Sequence, residues 1–141
     1  MRFYGFCHLW LSSLQKALQA GHAVGDLLVN FEPGSERDEM ARHWAKVEKT
    51  TILLNGGNCA TLKDLYNFFE GLREEGMPYP FVKFHEDEDS LNFALTTVGI
   101  ILPEEIYTLA KDIKSGIITT YDESDWKVKL ALRTNNYEFA N

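Results

Sequence analysis

His22 is the side chain best suited to chemistry. An imidazole can act as a general base near neutral pH or donate a hydrogen bond to a ligand oxygen. It lies in Gln15-Lys16-Ala17-Leu18-Gln19-Ala20-Gly21-His22-Ala23-Val24, a stretch with helical spacing. Ala20, Gly21, Ala23 and Gly25 surround it, and such small residues let another backbone approach closely. The ordinary alternative is a histidine that packs and hydrogen-bonds within the fold.

His85 beside Glu86 and Asp87 is a second candidate. Carboxylates next to an imidazole would raise its pKa and could form a proton-transfer pair with it. Adjacent residues of a strand face opposite ways, so a partner for His85 must come from elsewhere in the fold. Otherwise residues 85–90 form a solvated acidic loop. A divalent ion could sit among Glu86, Asp87, Glu88 and Asp89, but the central glycine and terminal glutamate of a calcium loop are missing. Asn55-Gly56-Gly57-Asn58 follows a strand and precedes a helix, where backbone N–H groups could cradle an anion. No Gly-Lys-Ser/Thr follows, so it is not a Walker loop, and a tight strand–helix turn is the better account of it. Thr96 and Thr97 could offer hydroxyls to a ligand, or serve as β-formers.

Several elements must position these groups. Residues 2–11 are rich in aromatics and read as a buried strand. Ser12 or Ser13 caps a helix from near Leu14 to about Asn30, with Leu14, Ala17, Leu18, Gly21, Val24, Gly25 and Leu28 on one apolar face. Glu36 to Val47 reads as a short helix after a Pro-Gly turn. Thr50 to Leu54 is β-prone, and Thr61 caps an amphipathic helix over Leu62 to Glu75, closed by Gly76. Phe81 to Phe84 is a short strand. Phe93 to Leu102 is a nearly continuous apolar strand, as expected when both faces are buried. Pro103 opens a helix that ends at Gly116, and Asp122 to Arg133 forms one more.

The chain has 141 residues, 45% of them hydrophobic, enough for one domain with a real core. Its formal charge of -7 argues against general nucleic-acid binding, which draws its affinity from basic faces. Cys7 and Cys59 are far apart and in no CxxC pattern, so two reduced thiols are expected rather than a disulfide framework or zinc site. No metal and no cofactor is expected. The apolar N-terminal run is too short to span a bilayer and lacks a small-residue cleavage site. A cytoplasmic location without membrane contact is expected.

Three motifs in this order resemble the type 2, archaeal and eukaryotic peptidyl-tRNA hydrolases. They are Gln19-x-x-His22-Ala23; Lys49-Thr50-Thr51-Ile52-Leu53-Leu54 followed by Leu62-x-x-Leu65-Tyr66; and Thr97-Val98-Gly99-Ile100-Ile101-Leu102-Pro103. The resemblance covers residues 3–103. It implies that His22 helps position or activate water, that Lys16 or Gln15 contacts phosphate, that Gln19 lines the ligand site, and that Thr96 or Thr97 offers a hydroxyl. The chain lacks the family's Gly-rich turn before the catalytic lysine, and it departs from the family at two further points. The family's catalytic lysine falls on Gln15, with Lys16 one step away, and one step turns a helical side chain by about 100°. The family's aspartate falls on His85, with Glu86 beside it, in a loop whose acidic residues would repel phosphate. The resemblance and the compact chain would suit a small protein of a large tailed phage, acting in the host cytoplasm.

The expected fold is therefore α/β: a mixed sheet of about four strands layered with helices. Residues 1–103 form the core, and 104–141 a helical extension packed on the same domain. Two functions are expected. One is a non-catalytic relative binding a protein or a small nucleotide-like ligand, with Trp126 and Tyr137 suited to an interface and a homodimer among the partners. The other is a hydrolase of peptidyl-tRNA or a related ester, using His22, Lys16, His85 and Glu86; RNA is a partner only in this case.

Overall fold

The computed structural model describes residues 1–86 and 94–140. Four strands form one mixed sheet: β1 (Arg2–His8), β2 (Thr51–Gly57), β3 (Phe81–His85) and β4 (Leu95–Leu102). Their spatial order is β2-β1-β4-β3, with β1 parallel to β2 and the other pairs antiparallel. Five α-helices lie among the described residues: α1 (Ser13–Val29), α2 (Glu36–His43), α3 (Cys59–Glu74), α4 (Glu104–Lys114) and α5 (Trp126–Thr134).

The sheet buries both faces, which is why β4 is apolar almost throughout. On one face Phe3, Val82 and Ile101 pack against Ala20, Ala23 and Leu27 of α1 and Ala41 of α2. A wider, π-type turn over Trp44–Glu48 carries the Trp44 ring to 5.5 Å from Phe3. Its indole N–H donates to the Thr50 carbonyl at 2.9 Å. On the other face Tyr4, Phe6, Val98 and Ile100 pack against Leu62, Leu65, Phe69 and Leu72 of α3. Ile106 of α4 and Leu130 of α5 join that same core, so residues beyond 103 help to close it.

Several boundaries differ from the sequence reading. β1 stops at His8, and Leu9 and Trp10 form an exposed turn. β2 continues through Asn55-Gly56-Gly57, since a Cβ at Gly56 would stand 2.5 Å from Leu62 Cδ2 and only glycine lets α3 lie so close. Asn58, not Thr61, caps α3: its Oδ1 accepts from the Thr61 N–H at 3.0 Å, while the Thr61 hydroxyl donates to Gly56 O at 2.7 Å. Pro103 is the cap of α4 rather than its first residue, and Asp125 caps a shorter α5. β4 is described from Leu95, and Phe93 lies outside the described residues.

The inward face of α1 is the main correction. Lys16, Gln19, Ala20, Ala23 and Leu27 point at the sheet, while Leu14 is 72% and Leu18 55% exposed. The helix is turned roughly half a revolution from its most apolar stripe. Ala20 lies over Gly5 of β1, where a built Cβ would stand 3.6 Å from Ala20 Cβ, an ordinary packing contact. Gly21 and Gly25 face open space.

Candidate functional site

Ser12 fixes the start of α1 through a capping box. Its hydroxyl oxygen accepts from the Gln15 N–H at 3.2 Å, and the Gln15 side chain accepts from the Ser12 N–H at 2.9 Å. Gln15 is thus exposed and engaged in the cap. One residue on, Lys16 turns inward and is 6% exposed, beside Cys7. Its carbonyl accepts from the Cys7 thiol at 3.9 Å.

Gln19 ties this end of α1 to two strands. Its amide nitrogen donates to Glu86 Oε2, and its Oε1 accepts from Thr96 Oγ1 at 2.8 Å. A bulge makes this possible. Phe84 pairs with Thr97 and His85 with Leu95, which leaves Thr96 as the extra residue of β4. Thr96 therefore reaches α1 although Thr97, its neighbour, also faces that side opposite Cys7. The Thr97 hydroxyl is buried with no well-formed hydrogen bond among the described residues, though it helps to lower the Cys7 thiol. Burial dominates there and raises that thiol to about 11.

His22 is exposed on the same flank of α1, its ring edge-on to Phe84 of β3 at 4.8 Å. His85 does not join it. Strand alternation turns His85 to the side of Lys83, whose ammonium lies 4.6 Å from the Tyr66 ring centroid on α3. Burial, and then the charge of Lys83, lower the His85 pKa, the reverse of the rise expected from its acidic neighbours in sequence. The structure thus gathers Lys16, Gln19, Glu86, Thr96 and Thr97 at one end of the sheet, with His22 at their flank and His85 across the sheet. Residues 87–90 of the acidic loop lie outside the described residues.

Asn55 to Gly57 are the last residues of β2, not a turn, and local bonds hold them before the Asn58 cap of α3. Asn55 Oδ1 accepts from the Gly57 N–H at 3.0 Å, and the Gly57 carbonyl accepts from the Leu9 N–H at 2.8 Å. Gly57 has φ +81°, so glycine is required.

A well-defined concavity lies at the opposite end of β1, where sequence reasoning placed no site. It is a groove of about 750 Å³ floored by Tyr4, Ile52 and Leu54 and walled by α4. Chain residues 138–140 complete it by running along β2: the Asn55 N–H donates to Glu138 O, and the Ala140 N–H to Leu53 O. Arg2, Lys111 and Lys114 bring three cations to its lining, against Glu104 and Glu138. The Arg2 guanidinium lies 3.9 Å from the Tyr107 ring centroid, held there by cation–π attraction. The signal in sequence was slight: a basic last turn on α4 and an aromatic tail.

Among the described residues no group of three or more His, Cys, Asp or Glu is placed to hold a metal ion. No helix among them is long and apolar enough to cross a membrane. No protein-family model matches the chain, and no curated protein matches it.

Proposed function

We infer that the protein is a non-catalytic binding module that takes a small nucleotide-like ligand in the groove between β2, α4 and the C-terminal tail. The groove itself carries this reading. Its volume of about 750 Å³ falls in the range of small-molecule sites, roughly 300–1,000 Å³. An apolar floor and the rings of Tyr107 and Phe139 suit a flat base. Arg2, Lys111 and Lys114 suit a phosphate, a local excess of cations on a chain of charge -7. The test is titration with adenine and guanine mononucleotides, read by backbone amide shifts. Shifts should centre on Tyr107, Lys111, Lys114 and Asn135, and Lys114→Glu should weaken binding by about tenfold. Absence of any shift there would sink the reading.

In this reading the chain is a divergent relative of the type 2 peptidyl-tRNA hydrolases, with the fold kept and the site moved. One observation favours the second reading, a hydrolase of peptidyl-tRNA or a related ester. Lys16, Gln19, Glu86 and Thr96 gather polar groups at one end of the sheet beside His22. Against it, His85 lies across the sheet and Gln19, Glu86 and Thr96 are engaged in joining α1 to the strands. Labelled peptidyl-tRNA should stay intact with the wild type. Turnover that His22→Ala abolishes would establish the hydrolase instead.

A further inference from the structure

We propose that the outward face of α1 binds a second copy of the chain, giving a two-fold dimer through antiparallel α1 helices. This rests on α1 alone and is independent of the groove.

The outward stripe runs Leu14, Leu18, Gly21, Gly25, Val29, successive members falling three or four residues apart, and so on one side of the helix. Leu14 is 72%, Leu18 55% and Val29 74% exposed, and Trp10, just before the helix, is 80% exposed. So much apolar surface on one element marks an interaction site. Nothing charged interrupts it. The exposed residues of α1 are Ser, Leu, Gln, Ala, Gly, His and Val, on a chain with 25% charged residues. A charged partner gains nothing from such a face. Two copies of a chain with charge -7 can meet there without setting like charges against each other.

Leu14, Leu18, Gly25 and Val29 also stand four, seven and four residues apart, a spacing that reads the same in both directions. A two-fold interface requires that if residue i meets j, then j meets i. With the axis between Gly21 and His22, Leu14 of one copy falls opposite Val29 of the other, and Leu18 opposite Gly25. Each large side chain thus meets a smaller one, and the gap left by Gly25, which has nothing within 4 Å of a built Cβ, receives Leu18. Two such faces, with both Trp10 rings at the ends, place the exposed large apolar side chains of this region at the contact, where a specific interface needs roughly 1,000 Å².

Sedimentation equilibrium of the full chain over a wide concentration range tests this. The mass should rise from 16.1 kDa toward twice that value. Leu18→Glu should weaken association by roughly 30-fold or more, while Ile117→Glu, at another exposed apolar residue, should leave it unchanged. Both positions are on the surface, and an unaltered circular dichroism spectrum checks that the fold persists. In a Cys59→Ser background, Gly21→Cys copies should cross-link to each other under mild oxidation. Ser13→Cys copies, about 25 Å apart along the paired helices, should not. A single-chain mass at every concentration, or a dimer indifferent to Leu18→Glu, overturns the proposal.

Discussion

Gln19 of α1 and Thr96 of β4 meet across the helix–sheet boundary, the Thr96 hydroxyl donating to Gln19 Oε1 at 2.8 Å. Both side chains are buried; the Thr96 hydroxyl has the Phe84 carbonyl as a second acceptor at 3.3 Å, whereas the Gln19 oxygen takes its donor from Thr96. Thr96 gets there only because a bulge adds a residue to β4. Thr96→Val should therefore cost about 1–3 kcal/mol by leaving the Gln19 oxygen without this donor. Adding Gln19→Leu should recover part of that loss, because the stranded Gln19 oxygen is removed, while Glu86, which loses its Gln19 donor, is only half-buried and can turn to water. Denaturant unfolding of both single variants and the double variant measures the coupling, and strict additivity would contradict the account.

Glycines should divide by their surroundings. A Cβ at Gly99 would stand 2.7 Å from the Phe3 ring, which packs on Trp44. Gly99→Ala should destabilise by roughly 1–3 kcal/mol through overpacking. Gly21→Ala sits in open space on a helix and should stabilise the monomer by up to ~1 kcal/mol. Thermal unfolding at low protein concentration compares them; equal effects would show that these environments are misassigned.

The two thiols should react very differently. Cys7 is buried, and burial raises its pKa to about 11. Cys59 is exposed at the first turn of α3. At about pH 8 a thiol reagent should label Cys59 at least tenfold faster than Cys7, since the thiolate is the reactive form. Mass spectrometry of the labelled native protein reads this directly. Comparable labelling would contradict the packing of α1 over β1.

Asp38 should contribute to the acid limb of stability. The Gly34 N–H donates to its Oδ2 at 3.0 Å and Arg42 Nε to its Oδ1 at 2.9 Å. The backbone bond first, then Arg42, hold the carboxyl below its usual pKa. A group depressed in the folded state stabilises above its unfolded pKa and loses that contribution as pH falls through its folded value. Asp38→Asn should flatten the fall in melting temperature below about pH 4. Glu48, held low chiefly by its bond to the N-terminal ammonium, should leave some slope behind. A variant with the wild-type slope would contradict this.

Much of the layering could be read from sequence, because α3 carries Leu65, Phe69 and Leu72 at clean helical spacing and β4 is apolar at all but Thr96 and Thr97. The orientation of α1 could not. Its sequence holds two candidate faces, and the one with Leu14 and Leu18 is the more apolar, yet the sheet takes the one with Lys16 and Gln19. Those polar groups are tolerated because Gln19 finds Glu86 and Thr96, partners far off in sequence. The bulge at Thr96 adds one residue that no composition marks. Asn55-Gly56-Gly57 reads as a turn, and only the approach of Leu62 shows why a strand needs those glycines. The groove was invisible for the same reason: it closes only when residues 138–140 return to β2.

The most direct test of the binding reading is an amide-shift titration of the full chain with a purine mononucleotide, repeated on Lys114→Glu. The account predicts saturable shifts around Tyr107, Lys111, Lys114 and Asn135, weakened by about tenfold in the variant. Shifts confined to Lys16, Gln19 and His22, or none at all, would contradict it.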